Sequence, residues 1–146
     1  MRLAVQSDPF DLGLESTAFA KLAKGAGAVV TFTGLVRDNG GTLSAMEIEH
    51  YPGMTERAIS TIMDQAMARW SLIDVLVIHR HGRLVAGEPI MMVATAAPHR
   101  ADAFAAAEFL MDYLKSRAPF WKKELGPDGA EWVAAKGEDE EALTRW

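Results

Sequence analysis

The sequence predicts an α+β fold: a mainly antiparallel sheet with two long helices packed on it. Segments with strand and helix patterning mix along the chain without a regular strand–helix–strand rhythm. Several neighbouring strand-like segments are joined by turns short enough for hairpins. Two long stretches carry apolar residues at helical spacing. The 146 residues fit a single domain spanning 1–146, since no repeat, low-complexity tract or Pro/Gly/Ser-rich linker divides them. A chain of this length buries roughly two-thirds of its unfolded surface and needs neither disulfide nor structural metal.

In chain order, Leu3 to Gln6 reads as a short strand. From Leu12 to Lys24 the residues Leu14, Ala18 and Leu22 recur at helical spacing, and Gly25 and Gly27 stop the helix. Val29 to Val36 is rich in β-branched residues and reads as a strand ending in the turn Arg37-Asp-Asn-Gly-Gly41. Leu43 to Tyr51 alternates and is expected to be its hairpin partner. Pro52-Gly53 breaks that strand, and Thr55 is placed to cap a helix reaching Trp70, with Ile59, Ile62, Met63 and Ala66 on its apolar side. Strands follow at Ile73–His81 and Pro89–Ala96. A second long helix runs from His99 to Arg117 and must stop before Pro119. Phe120–Leu125 and Glu131–Ala135, joined by Gly126-Pro-Asp-Gly129, form a closing hairpin.

Composition removes whole classes of chemistry. Without cysteine there is no disulfide, no thiolate-bound zinc, no iron–sulfur cluster, no cysteine nucleophile and no persulfide. No apolar run is long enough for a signal peptide or a membrane span, so a cytoplasmic protein is expected. A net charge of −5 argues against general nucleic-acid binding. The basic residues are nevertheless clustered: Lys115, Arg117, Lys122 and Lys123 fall together, while Glu138, Asp139, Glu140 and Glu141 form an acidic run. The cluster suggests an anionic small ligand or an anionic tail. A solvated helix end is the alternative.

Gly25-Ala-Gly27 is no dinucleotide fingerprint, because it follows a helix and precedes a strand. His79 and His81 share a strand face with Val75 and Val77. A His-x-His pair can ligate zinc, but no third ligand is evident, so these histidines, like His50, are read as structural and no metal site is expected. His99 and Arg100, after Pro98, open the second long helix. A helix start is already partly positive, so two basic residues there make sense if an anion binds; solvent screening is the other explanation. Arg37, at a strand end, is a third candidate for that anion. Phe104, Glu108, Met111 and Lys115 share a helix face. Lys115 thus ends a partly apolar stripe, where desolvation would lower its pKa and free it as a base, unless it snorkels to water. Lys122 follows Phe120 on one strand face, and the helix–Pro–strand turn can bring it to the same cleft as Lys115.

Three segments, Thr31-Phe-Thr-Gly-Leu-Val-Arg37, Glu49-His-Tyr-Pro-Gly-Met-Thr-Glu56 and Met111-Asp-Tyr-Leu-Lys-Ser-Arg-Ala-Pro-Phe-Trp-Lys-Lys-Glu124, together resemble the large, catalytic subunit of molybdopterin synthase. The resemblance continues through Val77-Ile-His-Arg-His-Gly82, Ala97-Pro-His-Arg100 and Arg145-Trp146, and so covers nearly the whole chain. It implies an α/β-hammerhead type of α+β fold and a homodimer, each large subunit binding one small ubiquitin-like sulfur carrier to give a heterotetramer. The carrier's C-terminal Gly-Gly ends in a thiocarboxylate, and two sulfurs pass to cyclic pyranopterin monophosphate to make the dithiolene of molybdopterin. By motif the family's catalytic lysines fall on Lys115 and Lys122, and its substrate-pocket residues on Phe32, Arg37, His99, Arg100 and Met111. No cofactor is implied. Two other classes stay open: a pterin-phosphate-binding homologue without turnover, which could dispense with Lys115, and a dimeric regulatory module, which needs no lysine cluster.

Overall fold

The structure, a computed structural model, describes residues 1–134 and 136–146. Eight strands, four helices and a terminal 3-10 turn follow one another: β1 (Arg2–Gln6), α1 (Leu12–Leu22), β2 (Ala28–Leu35), β3 (Ala45–His50), α2 (Met54–Arg69), β4 (Asp74–Arg80), β5 (Gly82–Leu84), β6 (Pro89–Ala97), α3 (Arg100–Ser116), β7 (Phe120–Gly126), β8 (Gly129–Trp132), α4 (Gly137–Ala142) and the turn Leu143–Arg145. The α+β class holds, but there are two four-stranded sheets, ordered β1-β4-β6-β2 and β5-β3-β7-β8. All pairings are antiparallel except β1 with β4.

Side chains of β4 alternate between two cores, as strand geometry requires. Leu76 and Ile78 meet Phe19 of α1 on one face of the first sheet. Val75 and Val77 meet α2 and α3 on the other, through Ile59, Met63, Phe109 and Leu110. The two long helices therefore share one face, as predicted. The carboxy terminus is fastened to their outer side: the Trp146 indole donates to Asp112 Oδ2 at 2.7 Å, and its ring packs edge-on against Trp70 and Phe109.

Three expectations need correction. The segment Leu43–Tyr51 does form a strand, but not a hairpin with β2. β2 pairs only with β6, while β3 lies between β5 and β7 in the second sheet. The cause is the connecting turn: Asn39, Gly40 and Gly41 all have positive φ, at 52°, 71° and 85°. Three consecutive left-handed residues do not make a two-residue hairpin, and the chain is turned out of the first sheet. Secondly, Thr55 is not the cap of α2. Gly53 is the N-cap, and its N–H is taken by Glu56 Oε2 at 2.6 Å. The Thr55 hydroxyl, on the second residue of the helix, is buried, donating to the Tyr51 carbonyl and accepting from the Tyr51 N–H. Thirdly, β5 and α4 were not legible as elements, and β8 ends at Trp132. That strand was expected over Glu131–Ala135; it starts two residues earlier, Val133 and Ala134 fall outside it, and only residue 135 lies outside the described residues. No described helix is long and apolar enough to cross a membrane.

Candidate functional site

Where α3 ends, the chain reverses into β7 over residues 117–119. Pro119 cannot donate to a helix, and the Arg117 and Ala118 N–H groups both close on the Tyr113 carbonyl, at 2.7 and 3.2 Å. This reversal places Lys115, in the last turn of α3, against Lys122, two residues after Phe120 on the same face of β7. The two lysines border a cleft of about 240 Å³. Arg37 enters from the turn after β2 and Lys136 from the start of α4, while His79, from β4, also lines the cleft. An adjoining recess of about 80 Å³ is lined by Phe32 and Met111 and shares Lys115, Lys122 and His79 with the larger space. Five of the seven residues singled out from sequence thus surround one connected hollow.

His99 and Arg100 do not join them. They sit exposed at the opposite end of α3, and His99 makes no side-chain capping bond. Lys115 lies fifteen positions after Arg100, about 22 Å along the helix axis at 1.5 Å per residue.

The electrostatics also differ from expectation. Lys115 is exposed rather than desolvated, and Phe104, in the stripe that was to cover it, is 62% exposed. The desolvated lysine is Lys122. Burial holds its ammonium below the ordinary lysine range, the positive charge of Lys115 pushes it further down, and Asp139 opposes both. Among the described residues no carboxylate forms an ion pair with Arg37, Lys115 or Lys122. The cleft therefore presents cations held in no close ion pair among the described residues, one of them poorly hydrated, beside an apolar recess, although the Glu124 and Asp139 carboxylates also line it. Such a site can hold an anion and stabilise negative charge that develops during a reaction.

Glu124 lies one further step along the same face of β7 and accepts a hydrogen bond from Asn39 Nδ2 at 3.0 Å, tying the turn that carries Arg37 to the lysine strand. Sequence reading passed over it, although the alternation Phe120, Lys122, Glu124 is visible. Lys136, the N-cap of α4, and Asp139, in its first turn, were missed as cleft residues because that short helix has no apolar face to announce it. No group of three or more His, Asp or Glu among the described residues could hold a metal ion.

Comparison with known proteins agrees with this architecture. The family model described as MoaE protein matches residues 5–117. The molybdopterin synthase catalytic subunit of Cereibacter sphaeroides is 72% identical over 146 residues, covering 100% of both chains. The solved MoaE protein from Burkholderia ambifaria MC40-6 superposes with a TM-score of 0.85 at 51% identity, over 99% of this chain and 96% of that one. A complex of subunits 1 and 2 of molybdopterin-converting factor from Helicobacter pylori 26695 shares the fold, with a TM-score of 0.77 at 20% identity over 92% of this chain and 90% of that one. The chain belongs to the MoaE family, the catalytic subunits of molybdopterin synthase.

Proposed function

We propose that this protein converts cyclic pyranopterin monophosphate to molybdopterin with sulfur delivered by a small ubiquitin-like carrier. The observation that carries the reading is the juxtaposition of Lys115 with the desolvated Lys122 in a cleft where, among the described residues, neither lysine nor Arg37 is held in an ion pair. A thiocarboxylate on a flexible Gly-Gly tail is narrow enough to reach such a cleft, because glycine lets backbone approach closely. Charge-assisted hydrogen bonds from the lysines hold its anionic end. Phe32 and Met111 offer the pterin ring system an apolar surface, and Arg37 offers the phosphate a guanidinium.

His99 and Arg100 enter this scheme only from a second copy of the chain, given the helix length between them and their own cleft. β2 is an edge strand of the first sheet, with Val29, Phe32 and Leu35 40%, 41% and 53% exposed. A second copy seated against that edge buries these residues and brings its own α3 start towards the cleft, completing a two-fold dimer with two carrier sites.

Two results test the reading. The chain has no cysteine, and methionine thioethers are not transferable sulfur donors under ordinary conditions, so both sulfurs come from outside. Each thiocarboxylate supplies one sulfur; water cleaves the acyl–sulfur bond and provides the replacing oxygen, and the carrier leaves as a carboxylate. Titration with loaded carrier, counted by mass spectrometry, is expected to consume two carriers per molybdopterin and to accumulate a mono-sulfurated species when carrier is limiting. Dithiolene formed from one carrier, or from none, defeats the scheme. For the anion site, Arg37→Ala is expected to weaken pyranopterin binding by about 1–3 kcal/mol, the usual cost of losing a charged hydrogen bond, with little change in carrier binding. Unchanged affinity by calorimetry removes Arg37 from the site.

A further inference from the structure

His79 is the one uncharged polar ring in the walls of both the cleft and the recess, and the scheme above gives it no work. It is 3% exposed, on the β4 face that otherwise carries valines into the helical core. Its Nδ1 lies 2.8 Å from the Arg80 carbonyl oxygen. A carbonyl only accepts, so Nδ1 carries the proton and Nε2 is left as the accepting nitrogen. The ring plane is fixed by stacking on Phe120, with centroids 3.7 Å apart and 14° between the planes. Tautomer and orientation are thus both set by the fold.

The ring also stays neutral. Burial is the main cause that lowers its pKa to about 3, against the Arg80 carbonyl, which favours the protonated form; the charges of Lys122, His50 and His81 push it further down. Among the described residues no side chain donates to Nε2, and the Lys122 ammonium likewise has no side-chain acceptor, although the two residues line the same hollow. A fixed acceptor without a donor and a desolvated donor without an acceptor face one space.

We propose that His79 is a positioning residue for Lys122: a rotation of the lysine side chain within the hollow that both residues line lets His79 Nε2 accept one of its N–H groups, and so fixes the direction from which that lysine meets the bound thiocarboxylate. The inference rests on the reading of Lys122 as part of the sulfur-transfer site. An uncharged acceptor suits this place for a physical reason. A further carboxylate there, added to Asp139, would raise the Lys122 pKa and weaken the positive field that holds anionic substrate, and a cation would repel the lysine. A neutral imidazole orients the amine and does neither. A histidine kept only as core filling would need no place in the wall of the hollow that Lys122 also lines, and an apolar residue of similar size would avoid the cost of burying it.

The first experiment needs no substrate. Histidine is labelled with ¹⁵N in the full chain, and the ring nitrogens are followed in the unaltered protein and in Lys122→Met. One histidine is expected to stay in the Nδ1–H form from pH 5 to 8, and its Nε2 resonance to move in Lys122→Met. A His79 that titrates in this range, or an Nε2 signal indifferent to Lys122, overturns the proposal. The second compares His79→Asn, whose amide can still donate to the Arg80 carbonyl but does not reach the Nε2 position, with His79→Gln, whose amide oxygen can lie near it. His79→Asn is expected to lower kcat by about tenfold or more, with KM for the pterin and carrier affinity within about twofold, and His79→Gln to recover most of the loss. Equal losses in both variants tracking a fall in melting temperature, or full turnover in His79→Asn, overturn the positioning role. If the unaltered protein makes no dithiolene from loaded carrier, the sulfur-transfer reading itself fails, while the ¹⁵N result still decides whether His79 and Lys122 are bonded.

Discussion

Lys115→Ala is expected to fold and to bind the carrier, yet to form dithiolene about a thousandfold more slowly than the unaltered protein, the scale typical of losing a proton-transfer group or a key electrostatic donor. Folding should survive because Lys115 is exposed, with no ion-pair partner among the described residues, and its helix is anchored by Ala106, Phe109, Leu110 and Leu114 on the opposite side. Turnover should not survive. The thiocarboxylate and the pterin phosphate are both anionic, and negative charge must be stabilised as each sulfur is transferred. Single-turnover product formation, read by mass spectrometry, checks this, and a rate within tenfold of normal would remove Lys115 from the chemistry. Lys115→Arg separates the two roles, since arginine keeps the charge but does not give up a proton. The same substitution has a second, independent readout. The Lys115 charge is one of the causes that lower the Lys122 pKa, so in Lys115→Ala the Lys122 ammonium should titrate at higher pH than in the unaltered chain. A ¹³C-labelled lysine spectrum shows the direction of that shift.

That Lys115 and Lys122 meet was legible from the chain, but which of them is desolvated was not. Helical spacing correctly puts Lys115 on one stripe with Phe104 and Met111. Periodicity says which residues share a face and not what covers that face, and Phe104 is left open to solvent. Lys122 owes its burial to register instead: it stands opposite Ile48, itself buried, across the β3–β7 pair. That register was hidden, because β3 was expected to pair with β2. Alternation identifies a strand without naming its partner, and here the partner was decided by three left-handed residues at 39–41. The long helices and the strands of the first sheet were readable because each buries enough apolar surface to leave a period. β5, with three residues, and α4, with six and none buried, leave none. His79 was read as a structural histidine near a strand end; the structure places it on β4 and buries it. The stacking and the fixed tautomer that distinguish it come from Phe120 and Arg80, and only the first of these lies on a different element.

If, as proposed, the cleft and the start of α3 that serve one substrate belong to different copies of the chain, mixing two crippled variants should restore activity. His99→Ala/Arg100→Ala is expected to lose about a hundredfold at low pterin concentration, the scale of two lost charged hydrogen bonds. Lys115→Ala is the second partner. Co-expression assorts the two chains, so about half of the dimers are mixed, and a two-fold dimer has two equivalent sites. In a mixed dimer with shared sites, one site collects both defects and the other collects neither. The preparation should therefore reach about one-quarter of normal activity, far above either variant alone. If instead each site were built within one chain, every site in every mixed dimer would carry a defect, and mixing would restore nothing. The geometry favours the first outcome: α3 is a continuous helix from Arg100 to Ser116, so its two ends cannot meet in one cleft. Full activity of His99→Ala/Arg100→Ala by itself would instead show that the helix start has no part in binding substrate, and both residues would return to being a solvated helix end.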